Sequence, residues 1–153
     1  MIRELKSQGV VSKTHSSFNS PIWPVCKSEG EWTLTVDYRT LNEVTPPLST
    51  AVLDMLEIHR MQASVCFHLE GESVVYTWNR LPQGWKPSPT ICHGLIQAAL
   101  EKDEAPEHLQ YIDDIIVWGN TAAEVFEKGE KIIEILLEAG FAIKKSKVKG
   151  PAQ

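Results

Sequence analysis

The sequence predicts an α+β fold, an antiparallel sheet with helices packed on one face, and three observations carry that reading. Short apolar runs rich in β-branched and aromatic residues come in pairs around turn residues, as at residues 22–38 and on both sides of Asp113-Asp114. Residues 121–140 instead repeat apolar side chains at helical spacing, between a capping signal and a glycine. Helices and antiparallel strands in mixed order place the helices against a sheet face.

The elements follow in chain order. Residues 1–30 mix Ser, Thr, Asn, Pro and Gly with no steady period, so SKTHSSFNSPIWP reads as extended and turn-rich. Lys27-Ser28-Glu29-Gly30-Glu31 is a turn, and the alternation of WTLTVDY after it predicts a β-hairpin over residues 22–38. Pro46-Pro47 stops whatever begins at Leu41 to Val44. Ser49 or Thr50 is placed to cap a short helix carrying Val52, Leu53, Leu56 and Ile58. Residues 59–75 have the weakest pattern; a second hairpin there runs from Val65 to Leu69, turns at Gly71 and returns over Ser73 to Trp78.

The segment LPQGWKPSP is loop chemistry ending in a helix start, with Ser88 as N-cap and Pro89 at the first helical position. Ile91, Leu95, Ile96 and Ala99 then form one apolar face. Thr121-Ala122-Ala123-Glu124 fits a capping box. Val125, Phe126, Ile132, Ile133, Leu136 and Leu137 continue that helix, and Gly140 sits where a C-cap glycine belongs. A final strand over Phe141 to Ile143 leads into Lys144, Lys145, Lys147 and Lys149.

Bulk properties narrow the function classes. A chain of 153 residues, 42% apolar, suits one ordinary domain. There is no run of about 18 apolar residues, so no membrane partner is expected, and no apolar signal core at the N-terminus, so an intracellular location is expected. Cys26, Cys66 and Cys92 lack metal-ligand spacing and read as free thiols in a reducing compartment. Cys92-His93 has no second pair to complete a zinc site. A net charge of −5 argues against nucleic-acid binding driven by total charge, although the C-terminal lysines make the distribution uneven.

The chemistry gathers at Tyr111-Ile112-Asp113-Asp114. Leu109 to Ile112 and Ile115 to Trp118 read as strands, which leaves two carboxylates at their tight connection. Like charges at close range repel unless a cation sits between them, and a divalent metal is the economical answer. That points to phosphoryl transfer.

YIDD before an apolar strand, preceded by LPQGWKPSP and by VDYRTLN, resembles retroviral reverse transcriptase. IWPVCKSEGEW, YTWNRLPQGWKPSPTICHGLI and LQYIDDIIVWGNTAAEVF look like the pol genes of bird endogenous retroviruses, and the resemblance covers nearly everything except residues 59–75. It implies a partial right-hand polymerase, with residues 1–58 fingers-like and residues 59–153 an incomplete palm. It also implies RNA-directed DNA polymerisation on an RNA or DNA template-primer with dNTPs, by two Mg²⁺ ions roughly 3.5–4 Å apart. Asp113 and Asp114 would supply two of three metal-binding carboxylates, Tyr111 and Ile112 would face primer terminus and nucleotide, and Gln83, Gly84, Lys27 and Lys147 would approach the incoming nucleotide. Asp37 and Arg39 would hold the fingers hairpin as a charge-assisted pair.

This copy departs from that pattern. The family's first catalytic aspartate lies on an apolar-Asp-apolar strand followed by an aromatic pair, and no such segment lies between Ile58 and Tyr76. Asp54, in Val52-Leu53-Asp54-Met55, imitates it without the aromatic pair and is not expected to be the third ligand. Thr33 stands where the resemblance expects an arginine. The missing segment would be a central palm strand, and no thumb, connection or ribonuclease H region is expected. The chain therefore reads as a polymerase fragment that is defective by itself. The competing reading is a non-catalytic remnant that binds nucleic acid or a partner protein, such as another pol chain.

Overall fold

The computed structural model describes residues 1–46, 48, 61 and 64–152. The expected helix around Val52 to Ile58, and Asp54 with it, lie outside the described residues. The chain divides into two compact units, Met1–Ile91 and Cys92–Gln153.

The first unit opens with helix α1 (Ile2–Ser7) and strand β1 (Val11–Thr14). This corrects the turn-rich reading of residues 1–30, whose local composition carries no signal for a strand paired far along the chain. Strands β2 (Ile22–Cys26) and β3 (Trp32–Val36) form the expected hairpin, in register from Ile22 opposite Val36 to Cys26 opposite Trp32. Pro24 is tolerated because this sheet has two strands and each keeps a free edge. Helix α2 (Arg39–Val44) ends as Thr45 turns extended ahead of Pro46, the conformation a residue before proline favours.

Strands β4 (Phe67–His68) and β5 (Val75–Trp78) pair antiparallel, as the second hairpin reading expects, with positive-φ Gly71 between them. β1 pairs along the other edge of β5, Val11 opposite Trp78, giving the order β1-β5-β4. Val11, Val36, Tyr38, Val65, Phe67, Tyr76, Trp85 and Ile91 are buried together as this unit's core. The Tyr38 hydroxyl is satisfied there by donating to the Val65 carbonyl at 3.1 Å.

Helix α3 (Ser88–Lys102) begins in the first unit and continues through the second. Ser88 does not cap it as expected. The helix already includes Ser88, whose buried hydroxyl donates to the Pro82 carbonyl at 2.7 Å and ties down the preceding loop. In the second unit, strands β6 (His108–Tyr111) and β7 (Asp114–Val117) form a hairpin followed by helix α4 (Ala122–Glu138). Ile96 and Leu100 of α3 and Ile132, Ile135 and Leu136 of α4 pack with Ile115 and Val117, so both helices cover one sheet face.

Both caps of α4 follow from the sequence. Thr121 Oγ1 accepts from the Glu124 amide at 3.1 Å, while Glu124 reaches the Asn120 amide at 2.9 Å, one residue earlier than in a standard capping box. At the other end Gly140 has φ +91°, and the amides of Gly140 and Phe141 donate to the carbonyls of Leu137 and Leu136. That is a Schellman cap, which needs the left-handed residue that glycine supplies. The expected strand at Phe141 to Ile143 is not formed; the segment joins no ladder among the described residues and leads to a 3-10 turn at Lys145–Lys147. Phe141 and Ile143 are apolar because they cover the second core.

Candidate active site

The β6–β7 connection is built from two residues, because Tyr111 pairs with Asp114 and only Ile112 and Asp113 lie between them. Antiparallel strands joined this tightly need positive φ in the loop, and Ile112 supplies it at +52°. A β-branched residue there costs about 1–3 kcal/mol, and such strain persists only where the surroundings impose it. Alternation puts Leu109, Tyr111, Asp114 and Ile116 on the outer face, all exposed. Ile115 and Val117, on the opposite face, anchor the strand in the core. Asp113 and Asp114 are both exposed, at the end of a strand whose other side is fixed.

Two contacts hold this hairpin. Gln110 Nε2 donates to the His93 carbonyl on α3 at 3.1 Å. Lys128 Nζ donates to the Trp118 carbonyl at 3.1 Å and pairs with Glu124 Oε1 at 2.9 Å, joining the end of β7 to α4. The Lys128 ammonium lowers the pKa of Glu124. Gly119 leaves room for the Glu124 carboxyl, which a Cβ there, 2.9 Å from Glu124 Cδ, would displace.

Near the turn lies Cys92, which the sequence reads as a free thiol and which is one here. Burial, and then the charge of Asp113, push the Cys92 thiol above its ordinary range. No local sequence signal announces this influence of Asp113 on Cys92.

Oxygen donors at Asp113 and Asp114 suit a hard divalent cation such as Mg²⁺ in kind. Among the described residues, no group of three or more His, Cys, Asp or Glu side chains is placed to hold a metal. The pair therefore fits part of a metal site.

Tyr111, Ile112, Asp113 and Asp114 are brought together at the one turn; the other candidates sit elsewhere. Lys147 is exposed in the Lys145–Lys147 turn of the second unit. In the first unit, Lys27 opens the β2–β3 turn, with its amide on the Glu31 carbonyl at 2.8 Å and its ammonium 3.4 Å from Glu31 Oε2. Both side chains are exposed, so that pair leaves the ammonium largely available. Gln83 and Gly84 are exposed on the loop before α3, with Trp85 buried as its anchor. Gly84 has φ +82°, a conformation glycine takes without penalty.

Sequence reasoning missed the clamp on this loop. Asn42 Nδ2 donates to the Gly84 carbonyl at 2.9 Å, and Asn42 Oδ1 accepts from the Lys86 amide at 2.8 Å. The Asp37–Arg39 pair is present: Arg39 Nε donates to Asp37 Oδ1 at 2.9 Å, and the same oxygen accepts from the Arg39 amide at 3.0 Å. The Asp37 amide donates to the Pro21 carbonyl at 2.8 Å, which fixes the pair at the base of the β2–β3 hairpin. The guanidinium holds the Asp37 carboxyl down at about 2.

Comparison with known proteins gives this geometry its context. The Pro-Pol polyprotein of Simian foamy virus type 1 is 29% identical over an alignment of 175 positions, covering 97% of this chain and 15% of the relative. Because the chain has 153 residues, at least 22 aligned positions (175 less 153) have no counterpart in it. The Gag-Pol polyprotein of Avian reticuloendotheliosis virus is 29% identical over 93% of this chain and 15% of its own length. The foamy viral protease-reverse transcriptase, solved in complex with RNA/DNA hybrid, superposes with a TM-score of 0.73 at 29% identity, covering 95% of this chain and 22% of that one. This chain thus spans a small part of each relative. Residues 37–151 match the family described as reverse transcriptase (RNA-dependent DNA polymerase). With three quarters of its length inside that match, the chain belongs to the reverse transcriptase family.

Proposed function

We propose that this chain is a fingers-and-palm piece of a retroviral RNA-directed DNA polymerase, and that by itself it does not polymerise. The observation that carries the reading is the strained two-residue turn presenting Asp113 and Asp114 on a strand anchored from behind. In this reading residues 1–58 are fingers-like and residues 59–153 are palm, in an intracellular protein. Asp113 and Asp114 would hold Mg²⁺, which in the complete polymerase would supply neutralisation of charge on a phosphoryl group. Tyr111 and Ile112 face the primer end and the nucleotide. Lys27, Gln83, Gly84 and Lys147 receive the dNTP, with the lysines acting as mobile point charges for phosphate.

Loss of activity is supported by the aligned positions of the relative that the chain lacks. Groups that act as one unit fail together, so a missing ligand removes most of the rate. The test is primer extension on an RNA template with dNTPs and Mg²⁺. No templated product is expected; extension that disappears in Asp113→Asn would overturn the proposal of lost activity.

A second reading, a remnant that retains nucleic-acid binding, is favoured by the foamy viral neighbour solved with RNA/DNA hybrid. It predicts salt-dependent binding of a hybrid duplex that Asp113→Asn leaves unchanged. Absence of binding at low salt would rule it out.

A further inference from the structure

The first unit carries a groove whose residues the proposed function does not use. It is about 580 Å³ in volume and lies where β1 runs out beside the start of β5. Thr14 stands opposite Val75 in the ladder, so the chain leaving β1 and the chain entering β5 form its two walls.

The chemistry of the walls is one-sided. Lys13 and His15 bring basic nitrogens, Thr14, Ser17 and Ser73 bring hydroxyls, and Val74 supplies an apolar surface. No carboxylate is among the described residues lining the groove, in a chain whose net charge is −5. The carboxylate nearest in sequence, Glu72, is already engaged by the Tyr76 hydroxyl at 3.1 Å. Close by, the amide of Phe18 donates to Ser16 Oγ at 3.1 Å, which curls the Ser16–Phe18 segment.

A concave wall made of donors suits an oxyanion, since ammonium and hydroxyl groups form charge-assisted bonds to phosphate oxygens. The volume exceeds what a lone phosphate fills and falls in the ordinary range for small-molecule sites. We infer that the groove formed by Lys13, Thr14, His15, Ser17, Ser73 and Val74 binds the phosphate group of a nucleotide-sized ligand, with Val74 contacting its apolar part.

The test is a titration of the full chain with AMP, and separately with adenosine, followed by backbone amide NMR. AMP is expected to shift the amides of Lys13 to Ser17 and Ser73 to Val75, with a Kd on the order of 1 mM. Adenosine, lacking phosphate, is expected to leave them in place. Lys13→Gln should weaken AMP about tenfold, because one charge-assisted contact is lost. Lys13 is exposed, so that variant should fold, and Lys102→Gln serves as the unaffected control. If an oligothymidylate displaces AMP from these residues, the phosphate belongs to a nucleic-acid strand; if it does not, the ligand is a free nucleotide, and either outcome supports a phosphate site. The inference is overturned if 10-fold excess AMP over that Kd shifts none of these amides. Equal shifts with adenosine, or equal AMP affinity in Lys13→Gln, would also overturn it.

Discussion

The side-chain amide of Asn42, on α2, grips the Gly84 carbonyl at 2.9 Å and takes the Lys86 amide at 2.8 Å, closing the loop that exposes Gln83. These two bonds join helix and loop across more than forty residues, and they fix the backbone whose positive φ only glycine takes freely. The glutamine is thus presented by a clamp that its own neighbours in sequence do not contain.

Asn42→Ala should therefore cost about 1–2 kcal/mol, because two hydrogen bonds are lost at a partly solvated site. Asn42→Asp keeps the acceptor for Lys86 and loses the donor to Gly84, so it should fall between Asn42→Ala and the unmodified chain. Urea denaturation of the three proteins checks the order. A loss below about 0.3 kcal/mol for Asn42→Ala would show that the loop holds without the clamp.

The aspartate turn stores strain at Ile112, which is 68% exposed and packs little to offset its φ of +52°. Ile112→Gly should stabilise the chain by about 1 kcal/mol, through release of the left-handed penalty less the added backbone entropy. Ile112→Val keeps the branch and should gain nothing. Thermal melts of both variants test this, and a lower melting temperature for Ile112→Gly would mean that the exposed isoleucine side chain contributes more than its backbone costs.

How much of this was legible follows from where each signal resides. The β2–β3 hairpin and both caps of α4 are local, so Gly30, Thr121, Glu124 and Gly140 announce them within a few residues. The β6–β7 hairpin was equally readable from the runs that flank it, but its register was not. The sequence placed Ile112 in the first strand and both aspartates in the connection, whereas the loop is Ile112-Asp113 and Asp114 already pairs with Tyr111. β1 was not, since Val11 finds Trp78 only after the chain returns from a distant hairpin. Ser88 carried the right residue type for a cap, yet the carbonyl of Pro82 captured its hydroxyl. Phe141 to Ile143 has strand composition for a different reason, as its apolar side chains cover a core without forming a ladder. The influence of Asp113 on Cys92 and the bond from Asn42 to the glutamine loop are tertiary relationships with no periodicity to betray them.

Acid should act first on two carboxylates whose pKa values are lowered on folding. Asp37 is held at about 2, against 3.8 ordinarily, by hydrogen bonds from the Arg39 side chain and amide. Its contribution is complete above pH 3.8 and is lost as pH falls through about 2, since protonation breaks the pair. Glu124 is lowered from 4.5 by Lys128 and by the Asn120 amide, so its contribution also disappears on acidification below 4.5. Stability measured between pH 5 and 2 should therefore fall less steeply in Asp37→Asn and in Glu124→Gln than in the unmodified chain. Parallel curves would mean that neither pairing differs between the folded and unfolded states.

The central claim is that Asp113 and Asp114 are what remains of a catalytic metal site, and a Mg²⁺ titration followed at the backbone amides of residues 111–115 tests it most directly. The account predicts saturable shifts confined to that turn, with a Kd on the order of millimolar, and their disappearance in both Asp113→Asn and Asp114→Asn. Amides that do not move, or that move equally when either carboxylate is removed, would contradict it.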